Sequence, residues 1–149
     1  MTNPYETTNL LRIYEYMEKK QELKRKDLIY PELSYQIIGI LFEVYNELGG
    51  GCYERYYQKA IAIALKKCNL SFKEQIYVPL NFKGIKVGNY YLDFLIENKI
   101  ILEIKKGEKF TRKNIEQVYS YLKATNLKLG ILANFTKTGL RFKRILNIK

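Results

Sequence analysis

The stretch from Tyr90 to Lys106, YYLDFLIENKIILEIKK, constrains this chain more than any other. It reads as two short strands around a tight loop, and its Tyr, Leu, Phe and Ile content marks both as buried or half-buried. Three ionisable residues, Asp93, Glu103 and Lys105, interrupt that apolar setting. A carboxylate in such a strand loses hydration unless something compensates it. Two carboxylates beside an ammonium suggest a divalent metal.

Loop length decides whether these groups can meet. If Ile96 and Ile100 flank the loop Glu97-Asn98-Lys99, Asp93 falls opposite Glu103 and Tyr91 opposite Lys105. Period-two alternation then puts Asp93, Glu103 and Lys105 on one face. Directly opposed Cβ atoms lie roughly 4.5–5.5 Å apart, close enough for two carboxylates to hold one cation. A loop one residue shorter sends the acids to opposite faces. Residue chemistry alone leaves two readings open: a cation held between the acids, or a salt-bridged pair satisfied by Lys105 and Lys106.

At 149 residues the chain is long enough for one domain with a sizeable core, and 47% hydrophobic content excludes disorder. No apolar run approaches the ~20 residues of a membrane span, and the polar start lacks the apolar segment of a signal peptide. A cytoplasmic protein is expected. With two cysteines, Cys52 and Cys68, and no histidine, neither a disulfide framework nor a zinc site is expected. The lack of histidine also excludes every His-based triad or general base. The net charge of +11 favours a phosphate-rich partner. A lysine excess alongside many Ile, Asn and Tyr is also what an AT-rich coding sequence produces, but the clustering of the charge favours nucleic acid.

Residues 1–30 read as an appendage, with a weak helical stripe through Leu10, Leu11, Tyr14, Met17 and Leu23 before the basic Lys24-Arg25-Lys26. A surface helix with a solvated charge run is the favoured reading. Pro31 opens a helix that Gly49-Gly50-Gly51 closes, with Ile37, Leu41, Val44 and Leu48 on its core face. A second helix runs from near Tyr53 to Lys67. Glu54 in its first turn suits the helix dipole, and a surface acid serving that N-terminus is the favoured reading. Strands follow over Phe72–Phe82 and, after a Lys83-Gly84 turn, from Ile85 into the Asp93 strand. Pro79 suggests an edge or a bulge. Thr111 is a plausible N-cap for a helix over Arg112–Ala124, whose core stripe is Ile115, Val118, Tyr119 and Leu122. Leu129–Phe135 is an apolar strand placed parallel to a neighbour by the helical crossover. A short basic helix is expected near Thr138–Leu146, with Lys137, Arg141 and Arg144 on one side.

A helical Glu, a strand Asp, an E-x-K strand and a downstream helix with Gln117 and Tyr121 occur in that order. This set resembles the PD-(D/E)xK nuclease superfamily, and within it the GxxExxY family, whose motif stands as Gly51-Cys52-Tyr53-Glu54-Arg55-Tyr56-Tyr57. Val78-Pro79-Leu80, Phe82-Lys83-Gly84, Glu103-Ile104-Lys105 and Leu132-x-Asn134-Phe135 add to the likeness, which covers roughly Leu33 to Ile145. Leu92 precedes the Asp where the superfamily motif has Pro, three glycines replace a Gly-Pro-Gly, and Asn114 stands where relatives often carry His.

The resemblance implies an α/β fold: a restriction-endonuclease-like mixed sheet flanked by helices, with an αβββαβ core over residues 31–149 and an extra N-terminal helix. It implies a metal-dependent nuclease; with the basic excess, DNA is favoured over RNA as the substrate, and a nuclease this small often works as a homodimer or within a larger complex. Asp93, Glu103 and the Ile104 carbonyl would bind Mg²⁺ or Mn²⁺, hard cations that prefer oxygen ligands. Glu54 would reach the same ion directly or through water. Lys105 would orient or deprotonate the attacking water, and Gln117 and Tyr121 resemble the Q-x-x-x-Y element of RecB-type nucleases. From helical geometry alone, Gln117 faces either a cleft or solvent. Lys106, Lys109, Arg112 and Lys113, with Arg141 and Arg144, are candidate nucleic-acid contacts or solvated surface cations. A nucleic-acid-binding module that keeps the fold without turnover is the alternative.

Overall fold

The computed structural model describes residues 11–17 and 29–148. Residues 11–17 are helical (α1), followed by α2 (Pro31–Leu48), α3 (Glu54–Lys67), β1 (Phe72–Phe82), β2 (Ile85–Ile96), β3 (Ile100–Lys106), α4 (Arg112–Thr125), β4 (Leu129–Phe135) and β5 (Leu140–Leu146). The strands form one mixed sheet in the order β1-β2-β3-β4-β5. All neighbours are antiparallel except β3 and β4, which run parallel across the α4 crossover. This is the restriction-endonuclease-like arrangement of a mixed sheet flanked by helices, with an N-terminal helix.

The sheet is covered on both faces, so its central strands carry near-continuous apolar runs. Every residue of β4 is buried. On one face Ile37, Leu41, Ile61 and Leu65 of α2 and α3 pack with Phe94, Ile96, Leu102, Ile104 and Phe135. On the other, Val118 and Leu122 of α4 pack with Leu92, Ile101, Leu132 and Ile145. Thr111 caps α4 by accepting from the Asn114 N–H at 3.1 Å.

Two expectations are corrected. The segment expected as a short basic helix is strand β5, paired along its length with β4. Its residues alternate in two-residue steps: Leu140, Phe142 and Leu146 pack toward α2, while Ile145 packs toward α4. Arg141 and Arg144 therefore face opposite sides of the sheet. Arg144 is half-buried, and its Nη2 donates to the Ile29 carbonyl at 2.7 Å, so it anchors the approach to α2.

The α1 stripe also differs. Ile13 is fully packed into the core with Tyr16 and Met17 beside it, whereas Leu11 and Tyr14 are exposed. On the same side Tyr16 meets Phe142 edge-on at 5.3 Å. Leu10, Leu23 and Lys24-Arg25-Lys26 lie outside the described residues.

Candidate active site

The hairpin that organises the sequence has the expected register: Ile96 pairs with Ile100, Leu95 with Ile101 and Phe94 with Leu102. Glu97 and Asn98 make the turn at φ 53, and the Lys99 N–H donates to the Ile96 carbonyl. The ladder stops one residue short of Asp93 and Glu103. There side chains take over from backbone. The Ile104 N–H donates to Asp93 Oδ2 at 2.7 Å, and the Asp93 N–H donates to Glu103 Oε1 at 3.1 Å. The strands open at this point, and the two carboxyl groups occupy the opening.

Strand alternation breaks at the same place. Leu92 packs toward α4, yet Phe94, two residues on, packs toward α2 and α3. Strand β1 does likewise: Phe72 lies with the first cluster, Ile76 and Val78 with the second. Between Glu74↔Phe94 and Ile76↔Leu92 the ladder skips Gln75 and Asp93, and Gln75 sits at φ 52. A non-glycine residue held left-handed inside a strand costs on the order of 1 kcal/mol, and such strain gathers at functional sites. The simple one-face picture of Asp93, Glu103 and Lys105 is thus replaced by a kinked strand. Its Asp reaches toward α3 while meeting Glu103 across the opening.

Helix α3 supplies the remaining groups. Gln58 Nε2 donates to Asp93 Oδ1 at 2.6 Å, and Gln75 Nε2 lies 3.4 Å from Gln58 Oε1. Gln58 is a contact that sequence reasoning missed, although its place one turn after Glu54 puts both on one face of α3. Glu54 Oε1 accepts from the Lys106 N–H at 2.8 Å, tying the start of α3 to the end of β3. Its role in this structure is therefore a contact to β3 rather than service to its own helix terminus.

The motif around Glu54 is held by Tyr57. This ring is fully buried, stacks on Phe135 at 4.0 Å, donates to the Gly49 carbonyl at 2.6 Å and accepts from the Cys52 N–H. Gly51 takes φ 97, and a Cβ on Gly50 would meet the Thr136 carbonyl at 2.5 Å. The tight glycine turn and the buried hydroxyl together aim Glu54 at the sheet.

Electrostatics set the site apart from the rest of the fold. Glu103 is 3% exposed and Asp93 7%. Burial pushes the Asp93 carboxyl up despite its donors, and burial together with Asp93 pushes Glu103 up to about 9. Lys105 Nζ stands 3.9 Å from Glu103 Oε2, and its charge favours ionisation of both acids without overcoming their burial. Two buried carboxyls share one neighbouring ammonium. The donor set is all oxygen, which fits a hard divalent ion. Among the described residues no group of three or more His, Cys, Asp or Glu is gathered as a metal site, so main-chain or water oxygens would complete the shell.

The other expected residues spread around this centre. Lys106 Nζ lies 3.3 Å from the Gly51 carbonyl and over the Tyr53 ring. Buried Asn134 donates to the carbonyls of Gly107 and Lys109, fixing the loop just past β3. Arg112 pairs with Glu116 in solvent, and Arg141 donates to the Glu108 carbonyl. Gln117 and Lys113 line a groove of about 450 Å³ between α4 and strands β1 and β2. The Gln117 main-chain carbonyl accepts from the Tyr90 hydroxyl at 3.0 Å. Tyr121 packs with the α4 cluster, where burial raises its pKa. Neither Gln117 nor Tyr121 has a side-chain hydrogen bond to Asp93 or Glu103.

The family model of the PD-(D/E)XK nuclease superfamily matches residues 31–145. The chain belongs to that superfamily. Membership of the PD-(D/E)XK nucleases points to an enzyme of nucleic-acid hydrolysis, in a superfamily that typically uses divalent metals. Among solved structures, the crystal structure of SSO0001 is similar with TM-score 0.47 and 17% identity, covering 93% of this chain and 79% of that one. No curated protein matches the sequence. Among the described residues no helix is long and apolar enough to cross a membrane.

Proposed function

We propose that this protein is a metal-dependent nuclease that hydrolyses phosphodiester bonds in DNA. The observation that carries the reading is the Asp93–Glu103 carboxyl pair in the β2–β3 opening with the Lys105 ammonium beside it. Gly51, Glu54 and Tyr57 support placing it in the GxxExxY family, with residues 31–149 as the nuclease domain. Asp93, Glu103 and the Ile104 carbonyl would hold Mg²⁺ or Mn²⁺, and Glu54 would reach it directly or through water. Bound there, such a cation lowers the pKa of a water and neutralises charge on the scissile phosphate.

The chain's own groups do the positioning. Lys105, about one-third exposed, can orient a water at the rim of the opening by donating a hydrogen bond from its ammonium. Lys106, Lys109, Arg112 and Lys113 follow the site in sequence and would contact substrate phosphates. Gln117, on the groove wall, would face the same strand, with Tyr121 behind it.

The test is cleavage of labelled DNA with Mg²⁺ or Mn²⁺ by the wild type, Asp93→Asn and Lys105→Ala. The expected loss in either variant is at least about 100-fold. Equal cleavage by wild type and Lys105→Ala would overturn the assignment.

A binding module without turnover is the second reading. It is favoured by the protein donors already placed on both carboxyls and by the absence, among the described residues, of a three-ligand cluster. It predicts binding that weakens by about 0.9 log units per contacted phosphate per decade of salt, with no metal-dependent cleavage.

A further inference from the structure

Strands β1 and β2 continue beyond the Gln75/Asp93 kink as a two-stranded arm. Val78 and Leu92 turn one face of it toward α4. Tyr77 and Tyr91, directly opposite each other in the ladder, stand on the other face. They are 46% and 51% exposed, and their rings meet at 5.6 Å and 67°. Phe82 at the tip is 63% exposed. Lys86 Nζ lies 5.3 Å from the Tyr77 ring centre and Lys83 Nζ 5.4 Å from that of Phe82. No acidic residue occurs anywhere from Ile76 to Tyr91.

Neighbouring exposed rings on one face of a strand pair call for an occupant. The occupant has to tolerate lysines without carboxylates to pair them. A second copy of a chain carrying +11 brings like charge to the same face. A strand with unpaired bases brings π-faces for the tyrosines and phosphates for the lysines, the combination by which single strands are held without sequence preference. The arm also starts at the site: Tyr91 is two residues from Asp93, and the tip at Ile85 lies roughly 20 Å further along at about 3.3 Å per residue.

We propose that this arm binds a single-stranded nucleic acid, stacking bases on Tyr77 and Tyr91 and placing phosphates on Lys83 and Lys86, so that the strand leads into the carboxyl opening. The assignment rests on the nuclease reading only in linking the arm to the opening. A duplex, whose bases are stacked on each other, cannot use the rings in this way.

The test measures fluorescence anisotropy of a labelled oligothymidylate and of a duplex of equal length, with EDTA present so that nothing is cut. Wild type should bind the single strand more tightly than the duplex. Tyr77→Ala/Tyr91→Ala should lose single-strand affinity at least tenfold, with a rough scale set by base stacking on aromatics. Tyr77→Phe/Tyr91→Phe should retain it. Lys83→Ala/Lys86→Ala should reduce the salt slope by about 1.4, at about 0.7 per phosphate. Unchanged single-strand affinity in the double alanine variant would overturn the assignment, as would wild-type preference for duplex. So would a wild-type dimer in sedimentation that the alanine variant dissociates while binding stays intact. Metal-dependent cleavage with an unaffected arm variant removes the arm alone. Arm-dependent binding without any cleavage removes the nuclease reading alone.

Discussion

Asp93 and Glu103 each stand in for a backbone acceptor. The Asp93 carboxyl takes the Ile104 N–H, and the Glu103 carboxyl takes the Asp93 N–H. The ladder breaks at the acids without orphaning these two N–H donors, because the carboxyl oxygens accept from them. The same exchange brings two carboxyls together where burial opposes charging either one.

That arrangement makes stability depend on pH in a definite direction. Glu103 is raised from its ordinary 4.5 to about 9, so the folded chain keeps a proton that the unfolded chain releases. The contribution of Glu103 to stability is therefore fully present below about pH 4.5 and is lost as pH rises toward about 9. A divalent cation substitutes for the proton and should abolish the fall. Thermal unfolding in EDTA across that window should show a declining midpoint, flattened by Mn²⁺ or by Glu103→Gln. A midpoint that climbs with pH contradicts the carboxyl pair.

Gln58 fixes the outer oxygen of Asp93. Gln58→Leu keeps the bulk and removes the donor, so the carboxyl can turn out of the opening. Mn²⁺ affinity by calorimetry should drop about 10–100-fold, the usual cost of losing a group that orients a ligand. No change would show that Asp93 is held by Ile104 alone.

Tyr57 closes the glycine turn with a buried hydroxyl bonded to Gly49 and Cys52. Tyr57→Phe leaves the ring stack on Phe135 and strips those bonds, for a loss of about 1–3 kcal/mol in urea unfolding. Stability equal to wild type would mean that water replaces the hydroxyl.

Arg144 and Lys106 should separate cleanly. Arg144 is committed to the Ile29 carbonyl, so Arg144→Ala should lower the melting midpoint and leave DNA affinity unchanged. Lys106→Ala should weaken DNA binding and reduce its salt slope by about 0.9. The reverse pattern would restore Arg144 to the nucleic-acid surface.

The helices and strands around the site were legible because their signals are local. Pro31 and the three glycines bracket α2, Thr111 caps α4, and LGILANF has no solvent face to alternate with. The Ile96/Ile100 register also followed from one loop. The C-terminal strand was not legible, because LRFKRIL satisfies a helical charge spacing as well as a two-residue alternation, and only pairing with β4 decides. The kink at Asp93 was hidden for a similar reason. It depends on Gln75, nearly twenty residues upstream, adopting a backbone that no propensity assigns to glutamine inside a strand. Gln58 carried no signal beyond sharing a face with Glu54.

The most direct measurement is anomalous diffraction from a crystal soaked in Mn²⁺. The predicted result is a peak in the β2–β3 opening, bonded to Asp93 and Glu103 oxygens and absent from Asp93→Asn crystals. A featureless opening at saturating Mn²⁺, or a peak elsewhere on the surface, would contradict the assignment of these carboxyls to a metal-dependent nuclease.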